Sequence, residues 1–280
     1  MRAFAWRQCT IVLLFVSLAA CSSIERALAP SARLWPRWEA HDPAASLSVD
    51  HADWGRILAA YAADDRDGIS RVAYASVTRE DHAALAAYIE RLAATPVSRL
   101  SRNEQFAYWV NLYNALTVKT VLDHFPVRSI LDITLSTALL AIGPWSTKVV
   151  TVEGERLSLD DIEHRVLRPI WRDPRIHYVV NCASLGCPNL PPRPLTAGNR
   201  EVELDAAARA YVNHPRGARA DGGRLKVSSL YLWYREDFGD DDAGVIAHLR
   251  RYADPTLAAE LDRTARVADG GYDWSLNDRR

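Results

Sequence analysis

Two cysteines in one short loop are the residues with the clearest chemical potential in this sequence. Cys182 and Cys187 lie in residues 181–188, read Asn-Cys-Ala-Ser-Leu-Gly-Cys-Pro, directly after the β-rich run of residues 175–180. Glycine and proline at this point predict a tight loop at the end of a strand. A cysteine exposed on such a loop is a nucleophile when a neighbouring histidine favours its thiolate form.

A nucleophilic Cys182 needs a histidine that takes its proton, and two histidines are close in sequence. Side chains alternate along a strand, so a strand over residues 175–180 places His177 on the face opposite Cys182, packed elsewhere. His164 is the better base, because its short predicted helix ends just before this strand. Either Asp160 or Glu163 could orient its ring. Alternatively, Glu163-His164 is a surface acid followed by a histidine that the helix dipole favours.

Other chemistry fits the same cysteines. The pair could close a small disulfide ring, which would be a structural feature of the loop. With His164 and His177 it could instead form a tetrahedral zinc site of mixed sulfur and nitrogen ligands. We expect no bound metal and no cofactor, and the sequence contains no glycine-rich phosphate loop, serine nucleophile elbow or HExxH motif.

The predicted long helix carries a line of amides. Ser101 and Glu104 form a capping box that opens it, and Asn103, Asn111 and Asn114 return to roughly one face. Buried amides must find partners. Asn114 could therefore steady an oxyanion or a catalytic imidazole, whereas a structural role that holds neighbouring loops is favoured for Asn111.

The elements around these residues mix helices with few strands. Apolar spacing predicts a helix that begins near Asp53, a second one capped by Thr78, and the long third one. A hairpin over residues 148–159, a helix capped by Ser158, and further helices at 201–211 and 243–252 follow, with strands at 224–227 and near Tyr272. We expect an α+β fold: one compact domain with a small mixed or antiparallel sheet packed against a long central helix.

The amino terminus predicts export. Arg2 and Arg7 precede an apolar run that is too short to span a bilayer, and the run closes on Leu-Ala-Ala before Cys21. This is typical of a lipoprotein signal peptide over residues 1–20, with Cys21 lipidated. Ser22, rather than aspartate, favours the outer membrane facing the periplasm over the inner membrane.

Composition and prolines organise the rest of the chain. Residues 21–49 contain Pro30, Pro36 and Pro43 with little periodicity, which predicts a flexible tether before a globular domain of residues 50–280. The formal net charge of −1 becomes two units more negative when the signal is removed. Such a balance argues against a nucleic-acid surface. Membrane attachment through Cys21 and a cell-wall or protein partner are the expected associations.

Four ordered motifs resemble a known family. They comprise residues 103–115, 159–164, 175–184 and 272–277. Together they resemble the domain-of-unknown-function 547 family over roughly residues 54–277. The resemblance includes the helix amides, the Glu163-His164 pair and the cysteine loop, but implies no established activity. A buried helix followed by sheet-borne histidine and cysteine suggests a fold analogy with papain-like and transglutaminase-like hydrolases.

Two functional hypotheses follow. The first is an envelope cysteine hydrolase or acyl transferase that acts on peptide or amide bonds, with Cys182 as nucleophile, His164 as base, Glu163 as a possible orienting acid and Asn114 or loop amides at the oxyanion. The second is a non-catalytic envelope module that binds a partner, in which a disulfide between Cys182 and Cys187 staples the loop.

Overall fold

The computed structural model describes residues 29–135, 143–221 and 224–279. Internal contacts group the described residues into two units, a larger one within residues 32–214 and 273–279 and a smaller one within residues 215–272 and 29–31. The predicted signal peptide and Cys21 lie outside the described residues. No helix in the described part is long and apolar enough to cross a membrane.

Short helices and two hairpins surround one long helix in the larger unit, so the α+β prediction is confirmed. The α-helices are α1 Ala52–Tyr61, α2 Arg79–Ala93, α3 Arg102–His124, α4 Arg168–Trp171 and α5 Arg200–Val212. A π-helical stretch, the π segment, spans Asp161–Leu167. The antiparallel hairpins pair β1 Ala62–Asp64 with β2 Ser70–Val72, and β3 Val150–Val152 with β4 Glu155–Leu157. The 3-10 helices are Pro36–Glu39, Tyr74–Ser76, Val97–Arg99, Ile130–Asp132 and Pro174–Tyr178.

Helix α3 is the centre of the larger unit. The serine half of the predicted capping box forms, because the Ser101 hydroxyl accepts the Glu104 N–H at 3.4 Å. The Glu104 carboxylate accepts the Val49 N–H at 2.7 Å. From Glu104 to Val121 every residue except Lys119 is buried. The helix packs mainly against α2 and the π segment. A helix buried on nearly all sides must satisfy its amides internally, which is why its asparagines matter.

Residues 32–49 are not a flexible tether in this structure. Trp38 is buried, and its ring meets Trp109 edge-on with centroids 5.1 Å apart. The Asp42 N–H donates to the Leu100 carbonyl at 3.0 Å, and the Val49 N–H donates to Glu104 at 2.7 Å. The prolines therefore shape an ordered segment, since burying a large aromatic side chain offsets the entropy lost on ordering it.

The predicted strand over residues 175–180 is wrong, because a 3-10 helix spans Pro174–Tyr178. Pro174 begins this helix, and the Asp173 carboxylate accepts the Arg175 N–H at 2.9 Å as an N-cap. The Val179 N–H closes the last turn on the Ile176 carbonyl. Local capping outweighs the β-propensity of this run, and the alternation argument for His177 fails with the strand.

The smaller unit combines a three-stranded sheet with short helices. Strands β5 Ala218–Asp221, β6 Arg224–Val227 and β7 Val267–Asp269 pair in that order, the first pair antiparallel and the second parallel. The helices are α6 Ser229–Trp233, α7 Asp242–Arg250 and α8 Pro255–Asp262, with a 3-10 turn at Arg235–Phe238. The final strand is β7, slightly before the predicted position near Tyr272.

Candidate functional site

Asn114 holds the backbone that leads into the cysteine loop. Its Nδ2 donates to the Val179 carbonyl at 2.8 Å, and its Oδ1 accepts the Asn181 N–H at 2.8 Å. Both ends of the buried amide therefore bind main chain. These two bonds give Asn114 a positioning role for the chain before Cys182, and its role at an oxyanion stays a prediction.

The cysteine loop, residues 181–188, is further held from inside. The Asn181 Oδ1 accepts the Ala183 N–H at 2.9 Å, while its Nδ2 donates to the Pro188 carbonyl at 2.7 Å. Ala183 adopts a left-handed backbone with φ of 61°, which is costly for a residue with a Cβ. Its carbonyl accepts the Asn277 N–H at 3.0 Å. These bonds maintain a strained turn directly after Cys182.

The carboxy-terminal segment braces the same loop. The Leu185 N–H donates to the Ser275 carbonyl and the Gly186 N–H to the Asp273 carbonyl, both at 2.8 Å. The Tyr211 hydroxyl donates to the Gly186 carbonyl at 2.8 Å. The fourth sequence motif thus forms part of the candidate site through backbone contacts rather than through its own reactive side chains.

The two cysteines differ in exposure. Cys182 is half-buried, whereas Cys187 is buried. No disulfide joins them. The Cys182 N–H donates to the Cys187 sulfur at 3.0 Å, and the Cys182 Sγ lies 3.2 Å from the Ser184 hydroxyl. Ser184 can donate to a Cys182 thiolate, so it is a candidate site residue that the sequence analysis did not identify.

The π segment presents the acids and His164 from an unusual helix. The Arg168 N–H donates to the Glu163 carbonyl five residues back. Pro169 has no N–H to continue this ladder, and the His164 carbonyl accepts the Arg33 N–H at 2.9 Å instead. Wide turns of this kind are rare and are frequent at functional sites.

His164 lies between a cation and an acid. Its Nδ1 is 2.9 Å from Arg168 Nη1. Its Nε2 lies 3.8 Å from Asp160 Oδ1. These contacts join His164 to Arg168 and Asp160, and its assignment as the base stays a prediction.

Glu163 meets His177 instead. The His177 Nδ1 lies 3.6 Å from Glu163 Oε1, and both side chains are buried. Burial alone would raise the pKa of Glu163, but the charges of His164, His177 and Arg168 and the hydrogen bond with His177 lower it to about 2. An ionised carboxylate at Nδ1 orients an imidazole so that its Nε2 can act as a base.

Tyr113 is a second residue that the sequence analysis missed. Its side chain is buried on α3. Burial raises its pKa well above the ordinary value, and Glu163, Cys182, Cys187 and a hydrogen bond with Glu163 raise it further. Its hydroxyl therefore stays protonated and donates to Glu163. Helical periodicity alone does not separate such a tyrosine from core.

Asp160 completes the acids of the site. Burial, followed by the charges of Glu163 and Asp161, raises its pKa to about 7, although Lys148 opposes the shift. Its side chain is 32% exposed. The sequence left open whether Asp160 or Glu163 orients a histidine. In the structure each carboxylate faces a different one, Asp160 facing His164 and Glu163 facing His177.

The zinc alternative finds no support among the described residues, where no group of three or more histidines, cysteines and acids is placed to hold a metal ion.

Asn103, which the sequence grouped with the buried amides, is exposed and accepts a hydrogen bond from Arg200 at 3.0 Å.

Comparison with known proteins identifies the segment that contains these groups. Residues 97–212 match the family model described as "Protein of unknown function, DUF547". The matched range includes α3, the π segment and the cysteine loop. No curated protein and no solved structure matches the chain. The fold analogy with papain-like hydrolases therefore stays a prediction.

Proposed function

Because this chain carries a domain of the DUF547 family, whose function is unknown, we propose its function from the chemistry of the site: a cysteine-dependent hydrolase or acyl transferase that acts on peptide or amide bonds. The observation that carries the proposal is the setting of Cys182. It is a half-buried thiol on a loop whose other residues are mostly buried and whose backbone is held by Asn114 and Asn181.

Cys182 is the nucleophile in this proposal. Its thiolate attacks the carbonyl carbon of the substrate, the amine leaves with a proton, and a thioester to Cys182 remains. Water or a second amine then attacks the thioester and regenerates the thiol. The Ser184 hydroxyl, 3.2 Å from the sulfur, supports the thiolate by donating a hydrogen bond.

His177 replaces His164 as the proposed base. The Glu163 carboxylate lies 3.6 Å from its Nδ1, and His177 belongs to the same Asn114-anchored stretch of chain as Cys182. The protonated Tyr113 hydroxyl donates a hydrogen bond to Glu163. His164 and Arg168 act on Glu163 through their charge, which favours the ionised acid.

We place this activity in the bacterial cell envelope. The support is the residue pattern alone: a charged start, an apolar run and Leu-Ala-Ala before Cys21. Lipidated Cys21 would anchor the chain, at the outer membrane facing the periplasm, where a cell-wall component or a protein would be the substrate or partner.

Thiol labelling across pH tests the nucleophile without a known substrate. The fully reduced chain is treated with iodoacetamide, and the peptide that contains both loop cysteines is quantified by mass spectrometry. We expect the rate of Cys182 labelling to reach its plateau at a pH below about 8.5, which is the ordinary pKa of a cysteine thiol. His177→Asn and Glu163→Gln should move this plateau to higher pH.

His82→Asn is the matched control, because His82 is a partly exposed histidine that pairs with Asp123 at 2.8 Å. It should leave the labelling profile unchanged. A wild-type Cys182 that labels with an ordinary thiol profile, or that responds equally to His82→Asn and His177→Asn, contradicts the proposed function.

A further inference from the structure

We propose that Cys182 and Cys187 form a thiol–disulfide exchange site, at which a small-molecule disulfide modifies Cys182 and Cys187 then resolves the adduct. The consequence, an oxidised and inactive nucleophile, rests on the proposed function; the exchange chemistry itself does not. The loop is thus a reversible modification site rather than a permanent staple.

The unequal exposure of the cysteines sets the order of events. Cys182 is half-buried and can meet a disulfide from solution, whereas Cys187 is 5% exposed. A buried partner behind an accessible thiol is the arrangement in which the first sulfur is attacked from outside and the second attacks from within.

The sulfur of Cys187 is already close to Cys182. It lies 3.0 Å from the Cys182 backbone nitrogen, and since N–Cα is about 1.46 Å, it is within about 4.5 Å of the Cys182 Cα. The Cys182 sulfur now contacts the Ser184 hydroxyl at 3.2 Å. Turning the Cys182 side chain from Ser184 toward Cys187 would bring the two sulfurs together with little main-chain movement.

The loop keeps this proximity. Asn181 bridges the Ala183 N–H and the Pro188 carbonyl, so it ties the start of the loop to its end. The Cys187 N–H also donates to the Ser184 carbonyl at 3.2 Å. The Cys187 sulfur accepts the Cys182 N–H at 3.0 Å and donates to the Val180 carbonyl at 3.8 Å, so these contacts hold it beside Cys182.

The exchange balances in two steps. The Cys182 thiolate attacks the external disulfide, forms a mixed disulfide and releases one external thiolate. The Cys187 thiolate then attacks the Cys182 sulfur, forms the internal disulfide and releases the second external thiolate. The external disulfide is reduced to two thiols, the loop loses two electrons, and the two cysteine protons pass to solvent.

Equilibration with reduced and oxidised glutathione tests the proposal on the full chain. After acid quenching and alkylation, the proteolytic peptide with both loop cysteines is analysed by mass spectrometry, which separates it from Cys9 and Cys21. We expect the wild type to form the internal disulfide, and dithiothreitol to restore both thiols. Cys187→Ser should accumulate a stable glutathione adduct on Cys182, and Cys182→Ser should form no internal disulfide.

Each alternative result has a definite reading. Absence of the internal disulfide in the wild type, or absence of the adduct in Cys187→Ser while near-ultraviolet circular dichroism shows a native fold, overturns the exchange site. The pH-dependent labelling of the reduced chain is scored separately. A reactive Cys182 that forms no internal disulfide contradicts only the exchange site. A Cys182 of ordinary reactivity that still forms the internal disulfide contradicts only the proposed function.

Discussion

Asp160 and Glu163 lie three residues apart, yet their pKa values move in opposite directions. Burial dominates at Asp160 and raises its pKa to about 7, while at Glu163 the charges of His164, His177 and Arg168 outweigh burial and lower its pKa to about 2. Carboxylates separated in this way commonly divide the roles of proton donor and ionised partner. The structure therefore distinguishes two acids that are equivalent in sequence.

The raised pKa of Asp160 makes a prediction about stability. Between its ordinary value of 3.8 and about 7, the folded state binds more protons than the unfolded state, so Asp160 lowers the free energy of unfolding as pH rises through this window. Asp160→Asn should raise that free energy at pH 8 by on the order of 1 kcal/mol, after discounting for solvent screening.

The same substitution should have a smaller effect at pH 4, where the carboxyl is protonated in the folded state and partly protonated in the unfolded one. Urea unfolding of both proteins at the two pH values measures the difference. A stabilisation of equal size at pH 4 and pH 8, or a loss of stability at pH 8, contradicts the assigned shift.

Two asparagines of helix α3 hold the backbone of two neighbouring loops by hydrogen bonds. Asn111 donates to the Leu195 carbonyl at 2.7 Å and accepts the Leu195 N–H at 3.1 Å, and Asn114 does the same for the stretch before Cys182. The structural role favoured for Asn111 agrees with these contacts. At the same scale, the 3-10 helix that replaces the predicted strand brings His177 to Glu163.

Removing the Asn114 amide tests this role. Asn114→Ala leaves a buried carbonyl and a buried N–H without their partner, and each such group costs about 1–3 kcal/mol. We expect the free energy of unfolding in urea to fall by about 2–4 kcal/mol, and Cys182 labelling to lose its dependence on His177.

Asn103→Ala is the matched control on the same helix. Asn103 is exposed and bonded only at its Oδ1 by Arg200 among the contacts seen, so its removal should change the free energy of unfolding by no more than about 0.5 kcal/mol. Equal losses from the two alanine variants would show that Asn114 has no special hold on the cysteine loop.

At the scale of the whole molecule, the proposed anchor would set the environment of the cysteines. An exported chain meets an oxidising compartment, where the pair at Cys182 and Cys187 is exposed to disulfide exchange. The ordered residues 32–49 leave less chain for a tether than the prolines suggested, since Trp38 is already buried. Membrane attachment would therefore hold the domain near the lipid surface.

Expression of the full chain in a bacterial host tests this anchor. We expect a mature protein that begins at a lipidated Cys21 and fractionates with membranes, because several acyl chains together hold a protein firmly. Cys21→Ser should leave the membrane fraction, and Ser22→Asp should keep the lipid but shift to the inner membrane in an enterobacterial host. An unmodified Cys21 in a mature, membrane-free protein contradicts the anchor.

Local rules explain what the sequence determined by itself. The Ser101 cap of the long helix, the hairpin turn at Glu153-Gly154, the helix near residues 201–211 and the tight cysteine loop all follow from residues close in the chain. Capping, turn chemistry and periodicity act over a few residues, so the local structure they produce can be predicted without the tertiary structure.

Only the tertiary structure decided which polar groups meet. The pairing of Glu163 with His177, the hold of Asn114 on Asn181 and the hydroxyl of Tyr113 beside Glu163 join residues that are 14 to 67 positions apart. Such contacts depend on how the buried helix, the π segment and the loop pack, and no local pattern encodes that packing. The cysteine loop was predicted from its own residues, but the histidine that meets Glu163 was not, because that contact depends on the packing around it.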